Sequence, residues 1–506
     1  MKFPLVTRSI KGFIQAALAL AIFLFNLGPG GTRIVHAAPP VNDSFASAKL
    51  INSITYVDSL VVTEATPTNS IPNVNDPDNI ICENGTRKAG YSTVWYTYTP
   101  GITESISLDT LGSNYDTFIA VWTGTIGSLS LVICNDDTFE NQQSELFFTG
   151  NAGTTYYIEV AQFAGFVGDP SSPPASCDVQ AGGCNLQFHA YITTTNVNIA
   201  GTVKGKYYIP PGGSLRRGYF NVDNGPARIT STNGALIIAA LRVIWQEPGP
   251  RFSYSELMGL PREQLSTEYW FPWYNNLETG SMSQGIRIGN IDTTSHTVEV
   301  WIGGIKRDTI PLGGGASVRV NYAVDNGPVR VVCTTCNSLN ADDRIITALR
   351  VIWQEPGVRT SYSEMMGLPR EQLSTQYWFP WYNNLETGSM NQGFRIANID
   401  TTSHTVEVWI GGIKRGTIPL GGGASVRVNY AVDNGPARVV CTTCNSLNAD
   451  DRIITALRVI WQEPGYRSSY SEMMGLPNEQ LSIQYWFPWY NSATPSMLQA
   501  FRFGVP

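Results

Sequence analysis

The sequence predicts an all-β protein made of tandem β-sandwich domains, on the basis of three observations. The phrase YWFPWYNN at 269–276 returns at 377–384 and, as YWFPWYNS, at 485–492, a period of 108 residues. Short runs of alternating apolar and polar residues are separated by turns that contain glycine and proline. Charged residues form only 14% of the chain and aromatic residues 11%, which suits short strands better than long amphipathic helices. A period of this length indicates domain-sized units in series.

Residues 1–37 have the pattern of a secretory signal peptide. Lys2, Arg8 and Lys11 form a basic segment, an apolar run follows at 13–25, and a small-residue cleavage motif lies at 35–37. A membrane span needs about 20 apolar residues, so this run is short for an uncleaved membrane anchor, which is the alternative. We therefore expect a secreted, extracellular protein, associated with the cell surface or free, with no membrane insertion after cleavage.

Charge and cysteine content limit the partners and the compartment. Removing the four basic residues of the segment 1–37 changes the formal net charge from -7 to -11. An acidic protein lacks the basic surface that nucleic acid requires, so no nucleic-acid partner is expected. All eight cysteines follow residue 37, and export into an oxidising compartment favours disulfides.

Residues 38–194 form the first predicted domain. Strand-like segments such as STVWYTYTP at 92–100, DTFIAVWTG at 116–124 and TTYYIEVAQF at 154–163 are separated by turn residues. This spacing predicts an antiparallel β-sandwich. The segment 165–183, which contains PSSPPASC, is expected to be a surface loop.

Five phrases of this domain occur in the motif order of a known family. They are NDSF at 42–45, VWYTYTP at 94–100, NYDTFIAVWTG at 114–124, CNDD at 134–137 and AGTTYYIEV at 152–160. In these phrases the segment resembles the bacterial pre-peptidase C-terminal domain. The resemblance implies a jelly-roll-like β-sandwich of the kind appended to secreted hydrolases and surface proteins.

The same resemblance implies a set of site residues. Some members of the family bind calcium through acidic side chains, and the matching positions here are Asn42, Asp43, Asp116, Asp136 and Asp137. Calcium takes six to eight oxygen ligands, so this set is chemically suitable. The alternative is that these side chains cap turns of their own backbone. Proximity and the family pattern also imply disulfides that pair Cys82 with Cys134 and Cys177 with Cys184.

The rest of the chain is interpreted as three repeat units, at 195–294, 295–402 and 403–506. Units two and three are near duplicates, with seven differences in the 92 positions from 293 to 384. Each unit has about seven strand candidates, which predicts an immunoglobulin-like or related sandwich. The segment SYSEMMGLP at 361–369 is expected to be a helix-like turn, because Gly367 and Pro369 end it. The units resemble uncharacterised secreted surface repeats that carry the YWFPWYNN phrase, and this resemblance implies no activity.

Units two and three contain an insertion that unit one lacks. They have CTTCNSLNADD where unit one has STNG, between two strand candidates. Local disulfides that pair Cys333 with Cys336 and Cys441 with Cys444 would stiffen this hairpin tip. The alternatives are a zinc site formed by both cysteine pairs and a redox motif, and export and the absence of a βαβ pattern argue against them.

The aromatic phrase is the candidate binding surface. Pro272 cannot donate to a ladder, so the strand is expected to be an edge or to contain a bulge. One aromatic face fills the core, and the other either packs on the neighbouring unit or offers a stacking platform to a ligand such as a sugar ring. The candidate ligand-binding residues are Trp270, Trp273, Tyr274, Trp378, Trp381, Tyr382, Trp486, Trp489 and Tyr490.

No residue set identifies a reaction. Recurrent carboxylates such as Glu247, Glu256 and Asp223 lie in turn-like contexts, and histidine is scarce. The sequence therefore predicts a secreted, non-enzymatic adhesion protein that attaches to an extracellular polysaccharide, matrix polymer or cell surface, with calcium as a possible cofactor. Two alternatives stay open. One is an accessory or unrecognised extracellular hydrolase, and the other is a passive spacer or surface-layer component.

Overall fold

The structure is a computed structural model, and it confirms the all-β prediction. It describes residues 38–66, 80–82, 86–125, 128–138, 142–164, 183–219, 221–222, 225–247, 251–276, 282–355, 359–384, 390–432, 435–463 and 467–485. These fall into two compact units, Met1–Tyr191 and Ile192–Pro506. The predicted signal peptide lies outside the described residues. Within the described ranges no helix is long and apolar enough to cross a membrane.

The described residues of the first unit form ten strands in two sheets. They are β1 (Lys49–Leu50), β2 (Thr55–Val61), β3 (Ile80–Cys82), β4 (Thr86–Tyr98), β5 (Glu104–Asp109), β6 (Thr117–Thr125), β7 (Ser128–Asn135), β8 (Glu145–Gly150), β9 (Tyr156–Ala164) and β10 (Asn185–Ile192). One sheet has the order β1-β4-β9-β6-β7, with β3 paired to β4, and the other has the order β2-β10-β5-β8. A short 3₁₀ turn lies at Phe45–Ser47.

The core of the first unit is aromatic, as the alternation in its strands predicts. Tyr96 of one sheet stacks on Phe188 of the other, with ring centroids 4.2 Å apart. Ile106, Leu108 and Leu186 are fully or almost fully buried in the same cluster. Two sheets that share one apolar interior are the layer arrangement of a β-sandwich.

The second unit begins with a segment of five strands that we call the open module, residues 195–258. The strands are β11 (Thr195–Ile199), β12 (Thr202–Tyr207), β13 (Ala227–Ser231), β14 (Ala240–Glu247) and β15 (Arg251–Met258). They form a three-stranded sheet, β12-β11-β13, and a separate pair, β14-β15. In the part of the chain that the structure describes, β13 and β14 each have one neighbour.

The first complete module follows, at residues 268–367. Its strands are β16 (Glu268–Phe271), β17 (Tyr274–Asn275), β18 (Met282–Asn290), β19 (His296–Ile302), β20 (Ile305–Leu312), β21 (Ser317–Val320), β22 (Asp325–Asn326), β23 (Val329–Cys333), β24 (Ile345–Glu355) and β25 (Arg359–Met366), and the short β26 (Leu368–Pro369) pairs with it. The sheets have the orders β20-β19-β23-β16-β26 and β21-β18-β24-β25, and β17 pairs with β22.

The second complete module, residues 376–475, repeats this arrangement. Its strands are β27 (Gln376–Phe379), β28 (Met390–Asn398), β29 (His404–Ile410), β30 (Ile413–Leu420), β31 (Ser425–Val428), β32 (Ala437–Cys441), β33 (Ile453–Glu463) and β34 (Arg467–Met474), and β35 (Leu476–Pro477) pairs with it. The sheets have the orders β30-β29-β32-β27-β35 and β31-β28-β33-β34. Short 3₁₀ turns lie at Arg262–Gln264, Arg370–Gln372 and Asn478–Gln480.

Local sequence explains the hairpins of the complete modules. Gly303 and Gly304 connect β19 to β20, and both have positive φ, of 58° and 76°. A two-residue turn with two positive φ angles matches the twist of the strands, and glycine adopts it without a steric penalty. Gly411 and Gly412 have the same role between β29 and β30.

One prediction of secondary structure was wrong. The segment SYSEMMGLP was expected to be a helix-like turn, but Arg359–Met366 is strand β25, which pairs along β24 from Glu355 to Ala348. The ladder that β24 offers outweighs the weak turn signal of the glycine and proline at the end of the segment, because strand formation depends on a neighbour that local sequence does not show.

The sandwiches are phased differently from the predicted repeat units. Strands β16 and β18 lie before residue 294, but they pair with β23 and β24, which lie after it. The predicted boundary at 294/295 therefore falls inside the first complete module, and the boundary at 402/403 falls inside the second. A sequence period gives the length of a repeat but not the point at which each folded unit begins.

Candidate functional site: the joints between modules

The aromatic phrase lies where a module meets its successor. In β16, Tyr269 and Phe271 are fully buried in the core of the first complete module. Pro272 lies just beyond the last residue of β16, so its missing N–H interrupts no ladder bond. The strand has neighbours on both sides, β23 and β26, and is not the edge strand that the proline predicted.

Tyr274 and Tyr382 hold their own modules together. The hydroxyl of Tyr274 donates to the Gln284 carbonyl at 3.1 Å and accepts from the Tyr322 N–H at 2.9 Å. The hydroxyl of Tyr382 makes the same pair of bonds in the second complete module. Both tyrosines are fully buried. Burial raises the pKa of each hydroxyl, which keeps it in the neutral form that can donate.

Trp273 is clamped by the following module. Its indole Nε1 donates to Glu472 Oε1 at 2.8 Å, and the Arg395 guanidinium lies 3.7 Å from the ring centroid. Only 2% of Trp273 is exposed. Burial raises the pKa of Glu472 and lowers the pKa of Arg395 to about 10, so both charges are partly desolvated. A cation on the ring face and an acceptor at the ring edge make this a specific contact.

Trp270 belongs to a second contact between successive modules. Its Nε1 donates to Glu268 Oε1 at 2.7 Å, and the same carboxylate accepts from Arg330 at 2.7 Å and from Arg370 at 3.2 Å. Burial opposes ionisation of Glu268, but the hydrogen bonds from Arg330 and Trp270 outweigh it, so the pKa of Glu268 is lowered. Arg370 lies between the two complete modules, so this ion pair fixes the start of the second one.

The corresponding contact one repeat later is neutral. Gln376 replaces Glu268, and Asn478 replaces Arg370. Gln376 Nε2 donates to Asn478 Oδ1 at 2.7 Å, and Trp378 Nε1 donates to the same oxygen at 3.2 Å. The neutral Gln376 thus meets a neutral partner, while Arg438, the counterpart of Arg330, is retained and lies 5.7 Å from the centroid of the Trp378 ring.

Serine hydroxyls connect β15, β25 and β34, which are corresponding strands of successive repeats. Ser253 Oγ accepts from the Tyr362 N–H at 2.9 Å, and Ser361 Oγ accepts from the Tyr470 N–H at 2.9 Å. Strand β15 packs against β25, and β25 packs against β34. We call the contact of β15 with β25 the first joint, and the contact of β25 with β34 together with that of Trp273 with Arg395 and Glu472 the second joint. Trp353 stacks on Tyr470 across the second joint, with centroids 6.3 Å apart.

These positions correct part of the predicted binding surface. Trp270, Trp273, Tyr274 and Tyr382 are buried, so none of them presents an open ring face to a ligand. Their ring edges and faces are used by packing and by hydrogen bonds within the chain. Trp378 and Trp381 are half-buried. The remaining predicted residues, Trp486, Trp489 and Tyr490, lie outside the described residues.

A second recurrent cluster joins the inserted hairpin to the sheet. His296 Nε2 lies 3.0 Å from Asp292 Oδ2 and 2.9 Å from Asp343 Oδ1, and its Nδ1 lies 3.2 Å from Thr335 Oγ1. His404, Asp400 and Asp451 repeat the arrangement. Hydrogen bonds from Thr402 lower the pKa of Asp400 to about 2, although partial desolvation opposes them, and His404 adds to the effect.

The two local disulfides of the hairpin are confirmed. Cys333 is bonded to Cys336, and Cys441 is bonded to Cys444, with Cα atoms 5.5 Å apart in each pair. The thiolates that a zinc site needs are therefore consumed. Cys134 and Cys184 are also disulfide-bonded, while the side chain of Cys82 and all of Cys177 lie outside the described residues.

The Asp–His–Asp cluster has three donor atoms close enough to hold a metal ion. Asp292 Oδ2 accepts from the Thr294 hydroxyl at 2.5 Å, while the buried Asp343 Oδ1 has no hydrogen-bond partner among the described residues besides its 2.9 Å approach to the His296 ring. One imidazole facing two carboxylates suits an ion-paired staple between the sheet and the insertion. Sequence reasoning missed this cluster. The available signal was that unit one lacks the histidine, the insertion with its aspartate and the cysteine pair all at once.

The predicted calcium residues of the first unit have local roles in the structure. Asp43 accepts from the Thr66 N–H at 2.6 Å and from the Thr66 hydroxyl at 3.0 Å, and the Asn42 amide donates to the Trp95 carbonyl at 3.1 Å. Asp136 is buried and Asp137 is exposed. In the described ranges, no three of the predicted acidic residues gather their oxygens into one cluster, so calcium binding stays a prediction.

Comparison with known proteins places no family name on the chain. No protein-family model matches it, and no curated protein does. An anti-sigma factor domain-containing protein is similar at 10% identity and a TM-score of 0.12, over 77% of this chain and 83% of that one. A Ca²⁺-stabilized adhesin that helps an Antarctic bacterium bind ice gives 11% identity and a TM-score of 0.11, over 74% and 94%. A GH2 beta-galacturonidase from Eisenbergiella tayi is similar at 12% identity and a TM-score of 0.12, over 48% of this chain and 44% of that one. TM-scores this low do not establish a shared fold.

Proposed function

We propose that this chain is a secreted, non-enzymatic adhesion protein whose repeats hold its binding surfaces at fixed spacing. The observation that carries the proposal is the second joint. Trp273 is enclosed by Arg395 and Glu472, and the serine hydroxyl of the joint recurs one repeat away. A joint that buries an aromatic ring between an arginine and a glutamate resists bending better than a flexible linker does. Local disulfides in both complete modules suit an oxidising extracellular compartment.

The half-buried tryptophans are the surface that we assign to polymer contact. Trp378 and Trp381 are only half-buried, and aromatic surface is suited to stacking on sugar rings. Arg438 lies 5.7 Å from the centroid of Trp378, which holds the ring in place from one side. The passive spacer remains the second candidate, and the burial of Trp273 is the specific observation that favours it.

A pull-down of residues 38–506 distinguishes the two functions. The matrices are insoluble polysaccharides, cell-wall fractions and collagen, and the variant is Trp378→Ala combined with Trp381→Ala. Leu339→Ala, at the exposed tip of the inserted hairpin, is the control. Retention on one matrix that disappears in the folded double variant but not in the control supports adhesion through this surface. No retention on any matrix contradicts adhesion and favours the spacer.

A further inference from the structure

Within the described ranges of the second unit, the open module lacks two strands that both complete modules have. In the complete modules, β23 lies between β19 and β16, and β24 lies between β18 and β25. Their counterparts in the open module are β13 and β14. Among the described residues, the places beside β13 and β14 that correspond to β16 and β18 are empty. An unpaired strand edge exposes a row of backbone donors and acceptors and can add another strand.

Side chains at these two edges are exposed where their counterparts are buried. Leu241, Leu349 and Leu457 occupy one position of the repeat, and their exposed fractions are 55%, 0% and 1%. Strand β14 begins at Ala240, while β24 and β33 begin three repeat positions earlier. Ile229 is 42% exposed, and its counterparts Val331 and Val439 are fully buried. Ile237 is also 42% exposed, and its counterparts Ile345 and Ile453 are fully buried. The open module therefore has the interior of a sandwich without its cover.

The chain contains a further copy of the sequence that forms these two strands in the complete modules. YWFPWY at 485–490 repeats 269–274 and 377–382, which contain β16 and β27. MLQAFRF at 497–503 corresponds to MSQGIRI at 282–288 and MNQGFRI at 390–396, which lie in β18 and β28. In the complete modules these two segments bind the edges of β23 and β24 or of β32 and β33. Residues 485–503 thus have the sequence that fits the open module.

The direction of the joints favours a second copy as the donor. In the first joint Ser253 of β15 accepts from Tyr362 of β25, and in the second joint Ser361 of β25 accepts from Tyr470 of β34. Each joint therefore uses different repeat positions on its two sides and is heterologous. Heterologous contacts repeated in one direction extend a series unless the rotation closes a ring. The open module lies at the start of this series, and residues 485–503 follow its last described strand, β35.

We propose that residues 485–503 of one copy complete the open module of a second copy by strand donation. The register follows from β27, in which Tyr377 lies opposite Val439 and Trp378 opposite Arg438. By repeat position, Tyr485 of the donor lies opposite Ile229 of the recipient, and Trp486 lies opposite Arg228. Main-chain ladder bonds supply affinity in such an addition, and alternate side chains that enter the interior supply specificity.

The recipient also has the polar groups that such a donor requires. In the second joint, Trp273 binds Glu472 and Arg395 of the following module. The residues one repeat earlier are Glu364 and Arg287, which form an ion pair at 3.2 Å, and the Arg287 side chain is 48% exposed. Trp489 of the donor would occupy the place of Trp273 in this repeat and cover Arg287. The assembly is then a head-to-tail series of chains.

Two complementary variants test the proposal. Phe501→Asp places a charge in the donor strand, and Leu241→Asp places one on the recipient edge, where the native leucine is already exposed. Residues 38–506 of each are examined by sedimentation velocity over a range of concentrations. We expect wild type to grow with concentration beyond dimers, and each variant alone to remain a monomer. An equimolar mixture should form dimers of about twice the monomer mass and grow no further. One variant supplies the intact donor strand and the other the intact recipient edge, and the two mutated edges of the dimer cannot bind more chains.

The controls separate this assembly from other associations. Leu339→Asp, on the exposed hairpin tip, should assemble like wild type, and circular dichroism should show that all variants retain the β spectrum. A wild-type chain that stays monomeric at every concentration overturns donation to a second copy, including the case in which the segment closes on its own chain. Wild-type oligomers together with a mixture that does not dimerise would place the interface elsewhere and also overturn it.

Discussion

The open module and the first complete module are built from corresponding residues, but they bury different parts of them. Leu349 has no exposed surface, because β18 lies beside β24 and closes the sandwich. Leu241 occupies the same repeat position in β14 and is more than half exposed. The difference arises from the neighbouring strand, since the residue type and its place in the ladder to the next strand are the same.

The comparison shows where the stability of such a repeat resides. A module draws its first strands from the sequence unit before it, so each unit needs its predecessor to complete a core. Tandem repeats generally share stability between neighbours in this way, and a terminal unit requires a cap. The open module is the repeat of this chain that lacks a predecessor with the YWFPWY phrase.

Among the variants that compare a covered with an uncovered position, Trp273→Ala should lower the unfolding free energy most. Trp273→Ala removes a buried ring and leaves the Glu472 carboxylate without its indole donor, so we expect a loss of about 3–5 kcal/mol of unfolding free energy. The half-buried Trp381 has the same repeat position, and Trp381→Ala should cost on the order of 1 kcal/mol. Urea unfolding followed by far-UV circular dichroism measures both. Equal losses would mean that the joint does not stabilise the modules.

The two leucines provide a sharper test within one repeat position. Leu349→Ala empties a closed core and should reduce the unfolding free energy by about 2–5 kcal/mol. Leu241→Ala, in dilute monomeric protein, should cost less than about 1 kcal/mol, because exposed apolar groups contribute little. Hydrogen exchange of the β14 and β24 amides reports each module separately. A large loss for Leu241→Ala in the monomer would show that the open module is already covered.

Much of the fold could be predicted from the sequence because its signals are local or periodic. The 108-residue period indicated domain-sized units, runs of alternating apolar and polar residues indicated strands, and the C-T-T-C spacing indicated a local disulfide. The strand at 359–366 was mistaken for a turn, since its stability depends on pairing with β24. The phase of the modules could not be predicted either, because strands distant in sequence decide it.

The candidate site was harder to predict for a related reason. Alternation in YWFPWY places aromatic rings on both faces of the strand, and only the neighbouring module decides which of them are covered. Trp273 meets Glu472 across 199 residues of sequence, a separation that no local pattern encodes. His296 lies in strand β19, while its two aspartates come from a turn and from the inserted hairpin.

Acid should destabilise the complete modules more than the open module, and this should be the smallest of the three predicted effects. The pKa of Asp400 is lowered from 3.8 to about 2 by hydrogen bonds from Thr402 and His404. A lowered folded-state pKa stabilises the fold above pH 3.8, and this contribution is lost as the pH falls towards 2. Asp400→Asn should therefore flatten the loss of thermal stability of the second complete module between these pH values.

The open module offers an internal reference for this experiment, because unit one has no counterpart of His404 or of the inserted aspartate. Hydrogen exchange at pH 4 and at pH 2.5 should show weakened protection in β29 and β33 of wild type and a smaller change in Asp400→Asn. Glu371→Gln, an exposed acid between the modules, serves as the matched control and should behave as wild type. If the control flattens the profile as much as Asp400→Asn does, general charge repulsion accounts for the acid response, and the Asp–His–Asp cluster does not hold the inserted hairpin to its sheet.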